Sequence, residues 1–466
     1  MTAVADGTAV VAGAGPPTGP LVSAAPAPTA PGRLPPYGLL GDPQTRLLAG
    51  PPPVQGAESL GAHLARLGPL PLPARGADVV ALVGASGLAG RGGGEFPVAR
   101  KLAAAAAAAS ADGAPALVVA NCSEGEPASR KDRTLVEHRP QLVLDGADVA
   151  ARAVGAPEVV VYLHATRPVT RGALAAAVAA RAGRSPVTYR MVEAPDAYVA
   201  GESSAVVRVV EGGGALPSRR RLPVAVSGVH GRPTVVSNAE SLAHLALLAR
   251  FGAPWFTLAG SPEAPGSSLL TLAGAVARPG AVVEVLAPVP LGDVLRGAGG
   301  LDAAPPAVLV GGYAGRWIPG EAAFELPVDR AAWRRAELGL GCGLVAPLPA
   351  TACGLATTLA LLGYLASQSA GQCGPCVLGL PSLARDLARV VEGSATRGDL
   401  RRLAHTAVDL RGRGDCGHPD GAITLLESAL EVFAEDAARH VRGRPCGGRH
   451  EGWFPLGGPA PLRSVS

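Results

Sequence analysis

Between residues 79 and 192, short apolar runs alternate with helix-like stretches, and this alternation restricts the fold more than any other feature of the 466-residue chain. Residues 79–83 (Val-Val-Ala-Leu-Val) read as a strand, 101–109 as an alanine helix and 116–120 as a buried-type strand. Then come a helix at 142–154, a strand at 158–163, a helix at 172–182 and a strand at 187–192. Strands spaced by helices build a parallel sheet covered on both faces. In such sheets ligands bind beyond the carboxyl ends of the strands. The polar segment 121–133 stands at one such end.

The rest of the chain has different textures. Residues 1–55 are rich in Ala, Pro, Gly and Thr without apolar period and read as a disordered leader. The α/β domain is expected over 56–255. Strands at 268–272 and 281–285, a short helix at 291–296 and a strand at 307–310 make a separate ββαβ module over 266–320. Helical patterns at 355–366, 380–391, 399–409 and 421–437 suggest a four-helix bundle within 345–445, ahead of a tail at 446–466.

Composition narrows the function. A net charge of +4, spread along the chain, argues against a nucleic-acid partner. Seven cysteines in a chain of this length do not form a disulfide framework. No basic region precedes an early apolar core, so no signal peptide is read. The charge-free stretch 338–384 is cut by Gly, Pro and polar residues, and its best apolar run, 355–366, falls short of the roughly 20 residues a bilayer needs. A cytoplasmic protein without direct membrane insertion is expected.

Five segments carry candidate chemistry. The first, 86–97, contains Gly90, Arg91 and Gly93 and precedes Lys101; glycine-loop amides ahead of a helix suit phosphate. In a glycine-rich chain such a cluster also arises without function. The second, Asn121-Cys122-Ser123-Glu124-Gly125-Glu126, follows a strand and can hydrogen-bond the hydroxyls of a ribityl or ribose chain, or simply form a solvated loop. The only two lysines of the chain, Lys101 and Lys131, each follow one of these segments, whereas every other basic side chain is Arg. A tight anion site distinguishes the compact ammonium from the planar guanidinium. The third segment holds Tyr198, Gly201 and Glu202. The fourth holds Arg219 to Arg221, His230 and Asn238, and here His230 reads as an ordinary loop residue. The fifth is Cys373-Gly-Pro-Cys376 with distant Cys416, which suits thiolate ligation of an iron–sulfur cluster or zinc, or a redox dithiol.

Taken in order, these segments resemble the flavoprotein (F) subunit of bacterial NADH-quinone oxidoreductase, over about residues 55–445. The family's G-R-G-G-A-G-F-P-T-G-x-K is followed by 90–101 and its N-A-D-E-x-E-P-G-x-x-K-D-R by 121–133. Its G-A-Y-x-x-G-E-E-T-A corresponds to 196–205, and its S-G-x-x-G-K-P-T-x-x-N-N-x-E-T to 227–241. The resemblance implies an α/β fold with a Rossmann-like FMN-binding domain, a β-grasp module and a C-terminal four-helix bundle holding a [4Fe–4S] cluster. It implies FMN held by Gly90, Arg91, Gly93, Lys101, Asn121, Glu124, Tyr198, Gly201, Glu202 and Asn238. Glu126 and Arg220 would lie near the nicotinamide dinucleotide, and Cys373, Cys376 and Cys416 would ligate iron. Electrons would run from NAD(P)H through FMN and the cluster to an electron-acceptor protein or another subunit. Hydride transfer to a flavin needs proximity and orientation, so no catalytic acid or base is nominated.

The chain departs from the family inside its motifs. Ala370 replaces the first cysteine of C-G-x-C-x-x-C, leaving three thiolates. Cys353 could substitute only if the chain folds back. Ser123, Ser203 and Ser237 replace an acid, a Glu and an Asn, and Glu95 replaces a loop glycine. Pro223 replaces an aromatic expected to stack on the adenine. Two further readings stay open: an FMN protein reduced by a ferredoxin-like partner, and a catalytically retired subunit.

Overall fold

A computed structural model describes residues 37–219, 221–301, 304–444, 446, 448 and 454–456. Strands Leu117–Asn121, Glu158–His164, Thr188–Ala194 and Thr234–Asn238 form an all-parallel sheet. The order runs from Thr188–Ala194 through Glu158–His164 and Leu117–Asn121 to Thr234–Asn238. Successive side chains point to opposite faces. Val118, Ala120, Val159 and Val161 therefore pack with the Pro140–Val154 and Ala239–Phe256 helices, while Leu117, Val119, Val160 and Tyr162 pack with Ser203–Val210. Both faces are covered, which is why the strands read as continuous apolar runs. At Gly146 any side chain would strike the Leu242 carbonyl, so glycine lets these two helices cross in backbone contact.

The strand expected at 79–83 is corrected: Gly76–Ser86 is a helix. Val79, Val83 and Ser86 are buried at helical spacing, and Gly87 ends the helix in left-handed conformation at φ 66°. A five-residue apolar run does not distinguish strand from helix by itself. The glycine loop thus joins two helices, Gly76–Ser86 and Val98–Asp112, rather than a strand and a helix.

A second, mixed sheet has six strands, in the order Tyr37–Leu39, Val282–Val285, Ser268–Leu272, Leu344–Pro347, Ala307–Val310, Arg316–Pro319. Only the pairing of Leu344–Pro347 with Ser268–Leu272 is parallel. Two boundaries are corrected here. The 266–320 module lacks the central strand Leu344–Pro347, so the sheet runs on to 347 and the helical region begins at Gly354, not 345. The leader expected to stay disordered to residue 55 is structured from Tyr37. The buried Glu284 carboxylate draws it in, accepting the amides of Arg46, Leu47 and Leu48 at 2.9, 2.8 and 3.1 Å.

The C-terminal region is helical: Gly354–Ser367, Leu380–Val391, Arg397–Leu410, His418–Val432 and Ala434–His440. The helix expected over 421–437 breaks at Phe433, giving a fifth segment. Among the described residues no helix is long and apolar enough to cross a membrane.

Candidate functional site

A cleft of about 610 Å³ opens beyond the carboxyl ends of the parallel strands, a volume in the range of small-molecule sites. Its walls come from all three regions: the glycine loop and the 121–132 segment, the 311–314 and 341–342 turns of the mixed sheet, and 416–421 of the helical region. Arg91, Gly93, Asn121, Glu124, Glu126, Tyr198, Gly201, Glu202 and Asn238 all line it. A wider groove of about 970 Å³ lies elsewhere, but alanines and glycines dominate it, with Arg152 its one charged side chain.

Asn121 and Asn238 end adjacent strands as register partners. Asn121 Nδ2 donates to the Gly201 carbonyl at 3.0 Å. The Ser123 hydroxyl donates to Asn121 Oδ1 at 2.6 Å, so the serine found in place of an acid fixes the Asn121 amide. Asn238 caps the helix behind it, accepting the Glu240 amide at 3.0 Å, and donates to Asp132 at 2.7 Å. Lys131 lies buried between Asp132 (2.9 Å) and Glu240 (3.0 Å). Burial pulls its pKa down, but Asp132, Glu240 and Glu124 outweigh it and hold the ammonium charged.

Arg91 lines the cleft and carries its guanidinium buried behind the glycine loop. Its amide donates to Ser241 Oγ at 2.8 Å and one guanidinium nitrogen donates to the Ser267 carbonyl at 3.0 Å. Nε and Nη1 are buried with no hydrogen-bond partner, and Glu240 stands 3.8 Å from Nε. Burial lowers the Arg91 pKa, opposed by Glu240 and Glu95. Orphaned guanidinium donors are costly unless an acceptor arrives. The loop beside them is tight: a Cβ at Gly92 would sit 3.3 Å from Asn238, and Gly93 has φ +94°. These features fit a phosphate-bearing flavin. Two expected residues do not face the cleft. Gly90 closes the base of the loop through its amide to the Phe96 carbonyl at 2.9 Å. Lys101 donates to the Val236 carbonyl at 2.9 Å, and burial lowers its pKa.

The acids divide their work. Glu124 accepts the amides of Asp132 and Arg133 at 3.3 and 3.2 Å and the Ser129 hydroxyl at 2.6 Å, holding the first turn of Lys131–His138. Glu202 caps Ser203–Val210 in the same way, accepting the Ser204 and Ala205 amides. Glu126 stays available. Its Oε2 accepts the Tyr198 hydroxyl at 3.3 Å and the Tyr313 amide at 3.0 Å, whereas buried Oε1 has no partner. Burial pushes its pKa up to about 8. Arg220 lies outside the described residues.

Cys373, Cys376 and Cys416 line one small cavity together with Ala370, Asp415 and His418. His418 also lines the cleft, so it forms a wall common to both. Its Nε2 donates to the Leu365 carbonyl at 2.8 Å, which leaves the lone pair on Nδ1, buried and without a partner. The His418 ring lies 5.3 Å from that of Tyr198. Three thiols, a gap at Ala370 and an unpartnered imidazole nitrogen fit an iron–sulfur cluster with three protein thiolates. Cys353 does not join them; it lies against His440 and Cys446.

Sequence reading missed Tyr313, Cys342 and His418. The first two come from the mixed sheet, about 190 and 220 residues from Glu126, and no local pattern relates them to it. His418 stands two residues after Cys416, and that proximity to a candidate ligand gave a reason to weigh it.

Two family models match the chain: the Nuo51 FMN-binding domain over residues 83–247 and the NADH-ubiquinone oxidoreductase-F iron-sulfur binding region over 356–440. One relative, the NADH-quinone oxidoreductase F subunit numbered 2 in Rhizobium meliloti (strain 1021), is 30% identical over 387 residues, covering 79% of this chain and 90% of that one. The NADH-quinone oxidoreductase F subunit of Streptomyces coelicolor is 30% identical over 388 residues, covering 79% and 84%. Among solved structures, an NAD+-reducing [NiFe]-hydrogenase in the H2-reduced state superposes with a TM-score of 0.71 at 29% identity. That match covers 78% of this chain and 63% of the hydrogenase chain, so less than two thirds of the latter is spanned.

Proposed function

The chain belongs to the family of NADH-quinone oxidoreductase F subunits, and from that premise we propose that it takes electrons from NAD(P)H on FMN in the 610 Å³ cleft and passes them to an iron–sulfur cluster at Cys373, Cys376 and Cys416. The observation that carries this reading is the shared wall. Tyr198 and His418 line the cleft, and His418 also lines the three-cysteine cavity, so the two redox sites are neighbours.

When bound, FMN supplies a two-electron acceptor for a nicotinamide hydride, and the cluster supplies a one-electron carrier. The side chains supply position. Arg91 and the glycine loop would hold the flavin phosphate, the loop by its amides and Arg91 by the two guanidinium nitrogens that lack a hydrogen-bond partner. Asn121, locked by Ser123, and Asn238, locked by Asp132, would present oriented amides to the ribityl chain. Lys131 offsets one of the two charges of Asp132 and Glu240, and Arg91, 3.8 Å from Glu240, faces the other, so the floor of the cleft sums close to neutral. Gly201 leaves room: a Cβ there would come within 3.1 Å of the Ser123 hydroxyl. Glu126 offers Oε1 as the polar group beside the incoming dinucleotide. With its high pKa it donates a hydrogen bond near neutral pH and accepts one in alkali.

His418 Nδ1 is assigned the fourth ligand position left by Ala370. Asp415 lines the same cavity and Ser369 hydrogen-bonds Cys376, but His418 alone of the three offers a buried atom without another partner. The mixed sheet reads as a β-grasp module. Its core order of second, first, fifth, third and fourth strand, with first and fifth parallel, supports this. The helices after Gly354 read as the family's bundle with one helix broken. A partner subunit or an acceptor protein then takes the electrons. Anaerobic reduction of the purified protein by NADH, followed at the flavin and cluster bands, tests the reading.

A further inference from the structure

Outside the cleft and the three-cysteine cavity, three metal-binding side chains meet at the far end of the helical region. Cys353 immediately precedes the Gly354–Ser367 helix, His440 ends the last helix and Cys446 follows it. One ligand atom from each lies within 4.8 Å of the others. His440 Nε2 is 3.3 Å from Cys446 Sγ and 3.9 Å from Cys353 Sγ. In a tetrahedral zinc site with Zn–S near 2.3 Å, ligand atoms stand about 3.5–4 Å apart. The two distances from Nε2 lie close to this range.

The imidazole is also oriented as a ligand. His440 Nδ1 donates to the Val391 carbonyl at 2.9 Å, which puts the lone pair on Nε2, the nitrogen that faces the two sulfurs. Metal-bound histidines are held in this way by a carbonyl or carboxylate on the other nitrogen. The Cys446 amide points at Nε2 from 3.1 Å and would give up that contact to a metal. Among the described residues no carboxylate joins the three within 4.8 Å, and Cys446 lines a cavity of about 380 Å³ from which a solvent ligand would take a fourth position.

We propose that Cys353, His440 and Cys446 bind one divalent zinc-like ion, which ties the C-terminal segment to the start of the first bundle helix. Binding releases the two thiol protons and involves no oxidation. The site is separate from the redox path: the Gly354–Ser367 helix, about 21 Å long, carries the chain from Cys353 toward the C-x-x-C turn. It does not rest on the flavin reading.

The test is elemental analysis of anaerobically purified full-length protein, with cobalt(II) titration of the metal-stripped form followed in the visible region. One zinc per chain is expected, and cobalt should give a thiolate charge-transfer band saturating at one equivalent. Cys446→Ser should lower bound zinc more than tenfold with flavin and iron contents unchanged, and Cys373→Ser should retain zinc. Cys353→Ser should repeat the Cys446→Ser result. Failure of the reduced wild-type protein to take up zinc or cobalt would overturn the proposal. So would a Cys353–Cys446 disulfide that takes up no metal once reduced, or zinc lost with Cys373→Ser and kept in Cys446→Ser.

Discussion

The Tyr198 hydroxyl donates to Glu126 Oε2 at 3.3 Å and so ties the third sequence motif to the second across the cleft. The Tyr313 amide holds the same oxygen at 3.0 Å, and Oε1 is left buried without a partner. An acid in this setting resists ionisation, and burial carries its pKa from 4.5 to about 8.

Stability should therefore depend on pH through Glu126. Below about pH 4.5 both folded and unfolded chains hold the proton. Between about 4.5 and 8 the unfolded chain releases it and the folded chain keeps it, so stability falls as pH rises, by roughly 3–5 kcal/mol in full. Above about 8 this contribution is constant. Glu126→Gln cannot ionise, so its advantage in Tm over the native protein should grow from about pH 5 to 8. An equal difference at both ends would contradict the assignment.

Removing Arg91 should cost flavin more than fold. Arg91→Met takes away two unpartnered donors to phosphate, each charge-assisted contact worth roughly 1.5–3 kcal/mol. Fluorescence titration should show FMN affinity weakened on the order of 100–10,000-fold. Lys101→Met, which loses only a bond to the Val236 carbonyl, should weaken it less. Equal losses would place the phosphate nearer Lys101.

Three of the four parallel strands and the helices at 101–109, 142–154 and 172–182 were legible because alternation of apolar runs is local information, whereas the strand Thr234–Asn238 and the helices Ser203–Val210 and Ala239–Phe256 were not read. The polar segment after the 116–120 strand was legible as a ligand site or a solvated loop, and the ordered family motifs decided between the two. The 79–83 run misled because five apolar residues fit either period, and burial at 79, 83 and 86 settled it as a helix. The structured segment from Tyr37 was hidden because its anchor, Glu284, lies some 240 residues away. The central strand Leu344–Pro347 was missed because it sits in a Gly- and Pro-broken stretch that carries little pattern of its own.

The cluster should carry the mark of its missing cysteine. Ala370→Cys supplies a fourth thiolate in place of His418, and thiolate-for-imidazole exchange lowers cluster potentials. The midpoint potential should fall, on the order of 100 mV, with iron content unchanged. His418→Leu in the native background should lose iron or convert the cluster to a three-iron form by electron paramagnetic resonance. An unaltered spectrum in His418→Leu would remove His418 from the ligand set.

Glu95 stands at φ 43°, a left-handed conformation that favours glycine, and pairs at 2.7 Å with half-exposed Arg334. The backbone cost of about 1–2 kcal/mol exceeds the worth of an exposed ion pair, about 0–1 kcal/mol. Glu95→Gly should thus be neutral to stabilising by about 1 kcal/mol in thermal unfolding, and a clear loss would mean that the ion pair anchors the loop.

The redox function turns on whether a nicotinamide hydride reaches flavin in this cleft despite Pro223 and Ser123. The decisive experiment is the visible spectrum of anaerobically purified protein before and after stoichiometric NADH or NADPH. A resolved flavin band should bleach within the mixing experiment, with the cluster shoulder fading as electrons move on. A protein that binds FMN reducible by dithionite but inert to both nucleotides, or one that binds no flavin at all, would contradict it.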